Sequence, residues 1–285
     1  MAHDQADILR QLVRQDADAH AVQGAGVPLV VISGGKGGVG TTTVAANIAV
    51  ALERQGHRTV LVNADLDRGG SLHVGEHGER GSVMEVLAGR CSIREALQPG
   101  PSGIQVLSGA WASDASAVFS ATAQQRLISE LKNLTPTVDV AVIDAGSSRS
   151  PFVRCFWQSA ASVLVVTTTD ATAIMECYAA IKVLLAGDHS ISIQTIVNHT
   201  SNSATAEDVQ TRIAAACRQF LGLEVSAAAA VPTCDASPTN EPILMFGPRS
   251  EAARAVEHLA DALWGQFQSH KARSGFDRRP IARSA

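Results

Sequence analysis

The chain has 285 residues, 46% hydrophobic and 18% charged, enough for one large domain or two small ones around a real core. Its 23 basic and 27 acidic residues leave a formal net charge of -4, which excludes the strongly basic footprint of a protein living on nucleic-acid phosphates. The apolar content excludes disorder throughout, no apolar run approaches the ~20 residues of a bilayer span, no signal peptide is expected, and five scattered cysteines without a C-x-x-C pair suggest a cytoplasmic protein.

In chain order, residues 1–19 read as an isolated amphipathic helix with Ile8, Leu9 and Leu12 on one side, and 20–27 as a polar linker. The β-branched run at 28–33 predicts a strand that stops at a glycine cluster. Residues 42–54 place Val44, Ile48, Ala51 and Leu52 on one face before Gly56, the pattern of a helix. Further strands are predicted at 59–62, 104–107, 138–143, 162–167 and 191–197, and helices at 124–134, 172–185 and 205–221. Residues 66–81 form a glycine- and charge-rich loop without a readable pattern. A last helix is expected over 250–267, with Val256, Leu259, Ala260, Leu263, Trp264 and Phe267 as its apolar stripe. The basic tail, 269–285, is expected to be disordered. Short apolar runs alternating with helices predict an α/β fold over 28–268: a doubly wound, mostly parallel sheet with helices on both faces.

The sharpest local signal joins the first strand to the first helix: Gly35-Lys36-Gly37-Gly38-Val39-Gly40-Thr41-Thr42-Thr43. It fits the phosphate-binding template G-x-x-x-x-G-K-[ST] from Gly35 to Thr42 at every place but one, where Thr41 stands instead of lysine. Glycines let successive N–H groups turn inward around a phosphate, and the helix that follows adds its positive N-terminus. The Thr42 hydroxyl falls where a Mg²⁺ ligand is expected. Asp65 and Asp144 each end a strand beside this loop, where carboxylates can order Mg²⁺ and water; a turn or cap role is the plainer alternative for each. Asn198 closes the run at 191–197, as a turn former or as an amide able to donate and accept at once. With no lysine at position 41 the β- and γ-phosphates lose a cation, so nucleotide binding with slow hydrolysis is expected. Ser147, Ser148 and Ser150 have no histidine arrangement that would suggest a hydrolase triad.

Lys36 near the start of the loop, followed by G-G-x-G, resembles the deviant phosphate loop of the MinD/ParA class of dimeric ATPases. The resemblance implies ATP and Mg²⁺ as cofactors and an ATP-dependent homodimer in which Lys36 reaches the partner's nucleotide. It implies Mg²⁺ and water roles for Thr42, Asp65 and Asp144, and adenine recognition by Asn198 with backbone contacts from Val231 and Pro232. The chain departs from the class at Thr41, at Asn63 where the class has a first aspartate, and in the switch-II segment after Asp144.

Residues 167–184 resemble the flagellar-number-regulating (FlhG) branch, and residues 4–10, with Asp4, Gln5, Ala6, Leu9 and Arg10, resemble its N-terminal D-Q-A-x-x-L-R helix. That branch implies docking of this helix on an FlhF-type GTPase, contacts with flagellar switch or basal-body proteins, and weak membrane contact through a C-terminal helix. Trp264, Phe267 and the basic tail are the candidates for that contact, while core packing is the plainer reading of the stripe. A pseudo-ATPase scaffold and a pilus-localisation or DNA-segregation relative are the alternatives. The acidic total and four lysines weigh against DNA, and no sequence-specific nucleic acid is expected.

Overall fold

The computed structural model describes residues 26–66, 81–109, 120–185, 191–234 and 241–276, with side chains as far as 269. The helix expected over 1–19, most of the linker and most of the loop at 66–81 lie outside the described residues.

The strands are β1 (Leu29–Gly34), β2 (Thr59–Asn63), β3 (Gln98–Pro99), β4 (Gln105–Leu107), β5 (Val140–Asp144), β6 (Ser162–Thr167), β7 (Ile193–Thr200) and β8 (Val225–Pro232). They form one sheet in the order β3-β4-β2-β5-β1-β6-β7-β8, parallel throughout except for the short β3–β4 pair. The helices are α1 (Thr41–Arg54), α2 (Val83–Leu87), α3 (Ile93–Ala96), α4 (Ala121–Lys132), α5 (Pro151–Ser159), α6 (Ala171–Leu185), α7 (Ser203–Leu221), α8 (Ile243–Phe246) and α9 (Glu251–Phe276).

Side chains alternate across each strand, so β1 feeds two cores: Leu29 and Val31 pack beneath α2 to α7, Val30 and Ile32 beneath α1, α8 and α9. Every residue of β1, β2, β5 and β6 is buried, which explains why these strands read as continuous apolar runs. The doubly wound, mostly parallel α/β sheet expected from the sequence is therefore the one observed.

The structure departs from the sequence expectation at several places, and β3, α2, α3 and α8 are among the elements that were not predicted. Gly26 and Val27 belong to the body: Val27 is buried and its N–H donates to the Lys132 carbonyl at 2.9 Å. Strand β8 was not expected, because its run of four alanines has little intrinsic strand preference; it forms by parallel pairing along β7. Helix α5 was also missed, although Ser150 caps it on the Val153 N–H at 3.3 Å and Pro151 opens it. Helix α9 continues to Phe276 rather than ending at Phe267, so the first part of the expected disordered tail is helical. Lys271, Ala272 and Arg273 are good helix formers, and cations suit a helix C-terminus.

The α9 stripe is core: Val256, Leu259, Ala260, Leu263 and Phe267 are buried, and Trp264 stacks on His57 with ring centroids 3.8 Å apart. Among the described residues no helix is long and apolar enough to cross a membrane.

Asn47 fastens α8 to α1. Its Nδ2 donates to the Thr43 carbonyl at 2.7 Å and its Oδ1 accepts the Leu244 N–H at 3.1 Å, in an interior where the side chain is 1% exposed. Asn47→Leu strands the Leu244 N–H without water, so it is expected to lower unfolding free energy by about 1–3 kcal/mol, read as a lower urea midpoint. An unchanged midpoint would mean that the amide is not what secures α8.

Candidate functional site

The predicted nucleotide-site residues meet at the carboxyl edge of the parallel strands, where open α/β sheets bind ligands. The phosphate loop leaves β1 at Gly34 and enters α1 at Thr41. Gly40, the residue before α1, has φ 90° in the left-handed region that favours glycine, and no side chain caps the helix. The first N–H groups of α1 therefore stay available to an anion. Gly35 packs directly on the backbone of Glu176 and Cys177 in α6, where a Cβ would collide. Thr41 is buried, its hydroxyl lying back over Gly34, so the position of the missing lysine carries no cation.

Asp144 ends β5 and is 1% exposed. Its Oδ1 accepts the Gly146 N–H at 3.2 Å, while its buried Oδ2 has no hydrogen-bond partner among the described residues. Burial pushes the carboxyl from the ordinary aspartate value up to about 6; the Thr42 hydroxyl and the Gly146 N–H favour the charged form, and the Asp65 charge opposes it. Asp65 lies beside it on a turn made by Asn63, whose Oδ1 accepts the Asp65 N–H at 3.2 Å. The Asp65 carboxylate fills the space over Gly146 where a side chain would begin.

This donor set fits Mg²⁺. A magnesium ion keeps several waters and takes few protein ligands besides phosphate oxygens. Here a hydroxyl at Thr42, a buried carboxylate with an unpartnered oxygen and a second carboxylate at Asp65 stand together. No group of three His, Cys, Asp or Glu side chains that could cage a metal occurs among the described residues.

Lys36 turns to its own chain: Nζ lies 3.0 Å from Asp170 Oδ2, with both side chains about half exposed. That hydrogen bond, more than the Ala173 N–H that Asp170 also accepts, holds the Asp170 carboxyl below its usual value. Asn198 is 5% exposed and donates through Nδ2 to the Val39 carbonyl at 2.9 Å, bracing the loop. A β-bulge follows it, with His199 at φ 53°, and Pro232 pairs with Thr200 across β8. Lys36, Thr41, Thr42, Asp65, Asp144 and Asn198 are thus gathered around one loop. Asp4, Gln5, Ala6, Leu9 and Arg10 lie outside the described residues.

Sequence reasoning missed Asp170, Glu176 and Arg149 as parts of the site. Arg149 Nη2 donates to the Gly35 carbonyl at 3.1 Å and to the Glu176 carboxylate. Its signal in the sequence is an arginine soon after a strand-ending aspartate, which by itself does not say where the guanidinium goes.

A family model for the AAA domain matches residues 27–186. The chain belongs to the AAA domain family. The chain is similar to the antiactivator FleN of Pseudomonas aeruginosa, 27% identical over 87% of this chain and 88% of that protein. The flagellum site-determining protein YlxH of Helicobacter pylori is 27% identical over 54% of this chain and 52% of its own. The fold matches the septum site-determining protein MinD of Pyrococcus horikoshii, solved with Mg-ADP, at TM-score 0.67 and 23% identity over 83% of this chain and 96% of that one. The expected P-loop ATPase family and its MinD/ParA-type fold are therefore correct.

Folding raises the Asp144 pKa to about 6, so the native state binds this proton more tightly than the unfolded chain does. The destabilisation is absent below the ordinary aspartate value and complete above the raised one, so stability contributed here falls as pH rises through that window. Without divalent cations, Asp144→Asn is expected to stabilise the fold by on the order of 2–3 kcal/mol at about pH 8, the gain shrinking as pH drops below about 6. A gain independent of pH in thermal unfolding would refute the raised carboxyl.

Proposed function

We propose that the chain is an ATP-binding regulator of flagellar number or placement that dimerises with ATP, hydrolyses it slowly, and acts on an FlhF-type GTPase through residues 4–10. The observation that carries the nucleotide reading is the buried Asp144 oxygen with no partner, beside Thr42 and a phosphate loop whose helix lacks a side-chain cap. The likeness to FleN over most of both chains, and to YlxH over about half, supports the flagellar assignment.

In this reading the N–H groups from Gly35 to Thr43 wrap the phosphates, with α1 contributing its positive end. Thr42 and, through water, Asp144 and Asp65 would hold Mg²⁺, which when bound neutralises developing charge on the β- and γ-phosphate oxygens. Asp65, raised on the Asn63 turn, orients the attacking water. Asn198 and Pro232 border the base. Lys36 leaves Asp170 for the nucleotide of a second copy, an exchange made inexpensive by the exposure of the pair. Flagellar switch or basal-body proteins, at the cytoplasmic face of the membrane, are the further partners this role requires.

A second reading, a scaffold that holds nucleotide without turning it over, is favoured by Thr41 in place of lysine. Steady-state hydrolysis of Mg-ATP separates the two: the parent chain is expected to turn over measurably and Asp65→Ala to fall to background. Equal rates in both, with ATP bound, would establish the scaffold. Deleting residues 4–10 is expected to abolish stimulation of the FlhF-type GTPase while leaving ATP binding intact; stimulation that survives the deletion would remove the partner from this account.

A further inference from the structure

The phosphate loop lacks its lysine, yet the charges around it leave a triphosphate poorly matched unless another cation serves. Asp65, Asp144, Asp170 and Glu176 all lie at or beside the loop, against Lys36 and Arg149. Lys36 belongs to the loop, but its ammonium is paired with Asp170 and about half exposed. Arg149 differs. It comes from the segment between Asp144 and α5, so it rises from the strand that carries the buried carboxylate, and it reaches back to the first residue of the loop. Its Nη2 donates to the Gly35 carbonyl at 3.1 Å, to the Glu176 carboxylate, and to the Glu176 carbonyl at 3.5 Å. All three contacts use one nitrogen. Among the described residues Nη1 and Nε have no hydrogen-bond partner, so one edge of the planar guanidinium fork is unspent, and the side chain is 33% exposed.

A guanidinium with a free edge is suited to bidentate recognition of phosphate, and it cannot lose its charge by desolvation as an ammonium can. Glu176 is 42% exposed, so its ion pair with Arg149 is the kind that contributes little and can be exchanged for a more highly charged anion. Gly35 is the first glycine of the template, and its contact with the α6 backbone fixes Glu176 beside it. The arginine, the carboxylate that holds it and the loop are thus one packed unit.

We infer that Arg149 supplies, from within the same chain, the phosphate-directed positive charge that Thr41 has lost, and that Glu176 keeps the guanidinium at the loop until a triphosphate takes it. This deepens the nucleotide-binding reading and rests on it. Within one chain the template's own cation, Lys36, is held by Asp170 and in the proposed dimer serves the partner's nucleotide, so a second cation from outside the motif is what Thr41 calls for.

The test compares binding of fluorescent ATP and ADP analogues, with Mg²⁺, to the full chain and to Arg149→Gln, Arg149→Lys, Thr41→Lys and the Thr41→Lys/Arg149→Gln pair, with thermal unfolding as a check on folding. Arg149→Gln is expected to weaken ATP by about tenfold or more and ADP by less than about threefold, with Arg149→Lys retaining most of the preference. Thr41→Lys is expected to restore ATP affinity in the Arg149→Gln chain and to add little to the parent, because two cations serving one phosphate are not additive. The inference is overturned if Arg149→Gln weakens both nucleotides equally, as a purely structural pin would, or if Thr41→Lys helps both backgrounds alike. Should Thr41→Lys not fold, the comparison of Lys with Gln at 149 decides, and equal discrimination of ATP from ADP by those two variants overturns the inference. A parent chain that binds neither nucleotide would overturn the nucleotide reading itself, before any variant is made.

Discussion

A glycine-rich loop has almost no side chains with which to hold its own shape, so the phosphate loop depends on neighbours that grip its backbone. Three of them come from far along the chain. The Gly34 N–H donates to the Gly146 carbonyl at 2.7 Å, Asn198 Nδ2 binds the Val39 carbonyl at 2.9 Å, and Arg149 Nη2 binds the Gly35 carbonyl at 3.1 Å. With carbonyls satisfied from outside, the loop's N–H groups are left to face an anion, the arrangement that makes such a turn a phosphate nest. The segment after β5, the bulged end of β7 and the start of α6 are all coupled to the same few peptide groups. A shift in any of them is a shift in the loop.

The same arrangement places a carboxylate where it is costly. Asp144 is buried at the end of a strand covered on both faces, with one oxygen unpartnered, and its pKa rises to about 6. A chain folding for stability alone would not leave a charge there. Asn63, directly across the β2–β5 register from Asp144, is a neutral amide that builds the Asp65 turn, so the site carries two carboxylates rather than three. The sheet tolerates the expense because its two cores are large, drawing on alternate residues of every central strand.

Helix α6 brings these features together. Asp170 at its start binds Lys36, Glu176 binds Arg149, and its backbone at Glu176 and Cys177 packs against Gly35. Lys36 and Arg149 are therefore both paired with carboxylates on or directly before one element. Such exposed pairs are weak, so a competing anion can replace either carboxylate at little loss.

The sequence by itself determined the alternation of buried strands and helices, the place and identity of the phosphate loop, and the strand-end aspartates. These are local facts: a period of two or 3.6, a glycine spacing, a carboxylate after an apolar run. The alanine-rich β8 escaped because a strand of small residues is specified by the neighbour it pairs with rather than by its own preference. The extension of α9 escaped because the apolar stripe ends before the helix does. What only the tertiary structure decided is who touches the loop. Asn198 lies 159 positions from Val39, and Arg149 lies 114 from Gly35. No periodicity links residues so far apart; the parallel sheet does, by bringing the ends of β1, β5 and β7 to one edge, where their side chains share the same few ångströms.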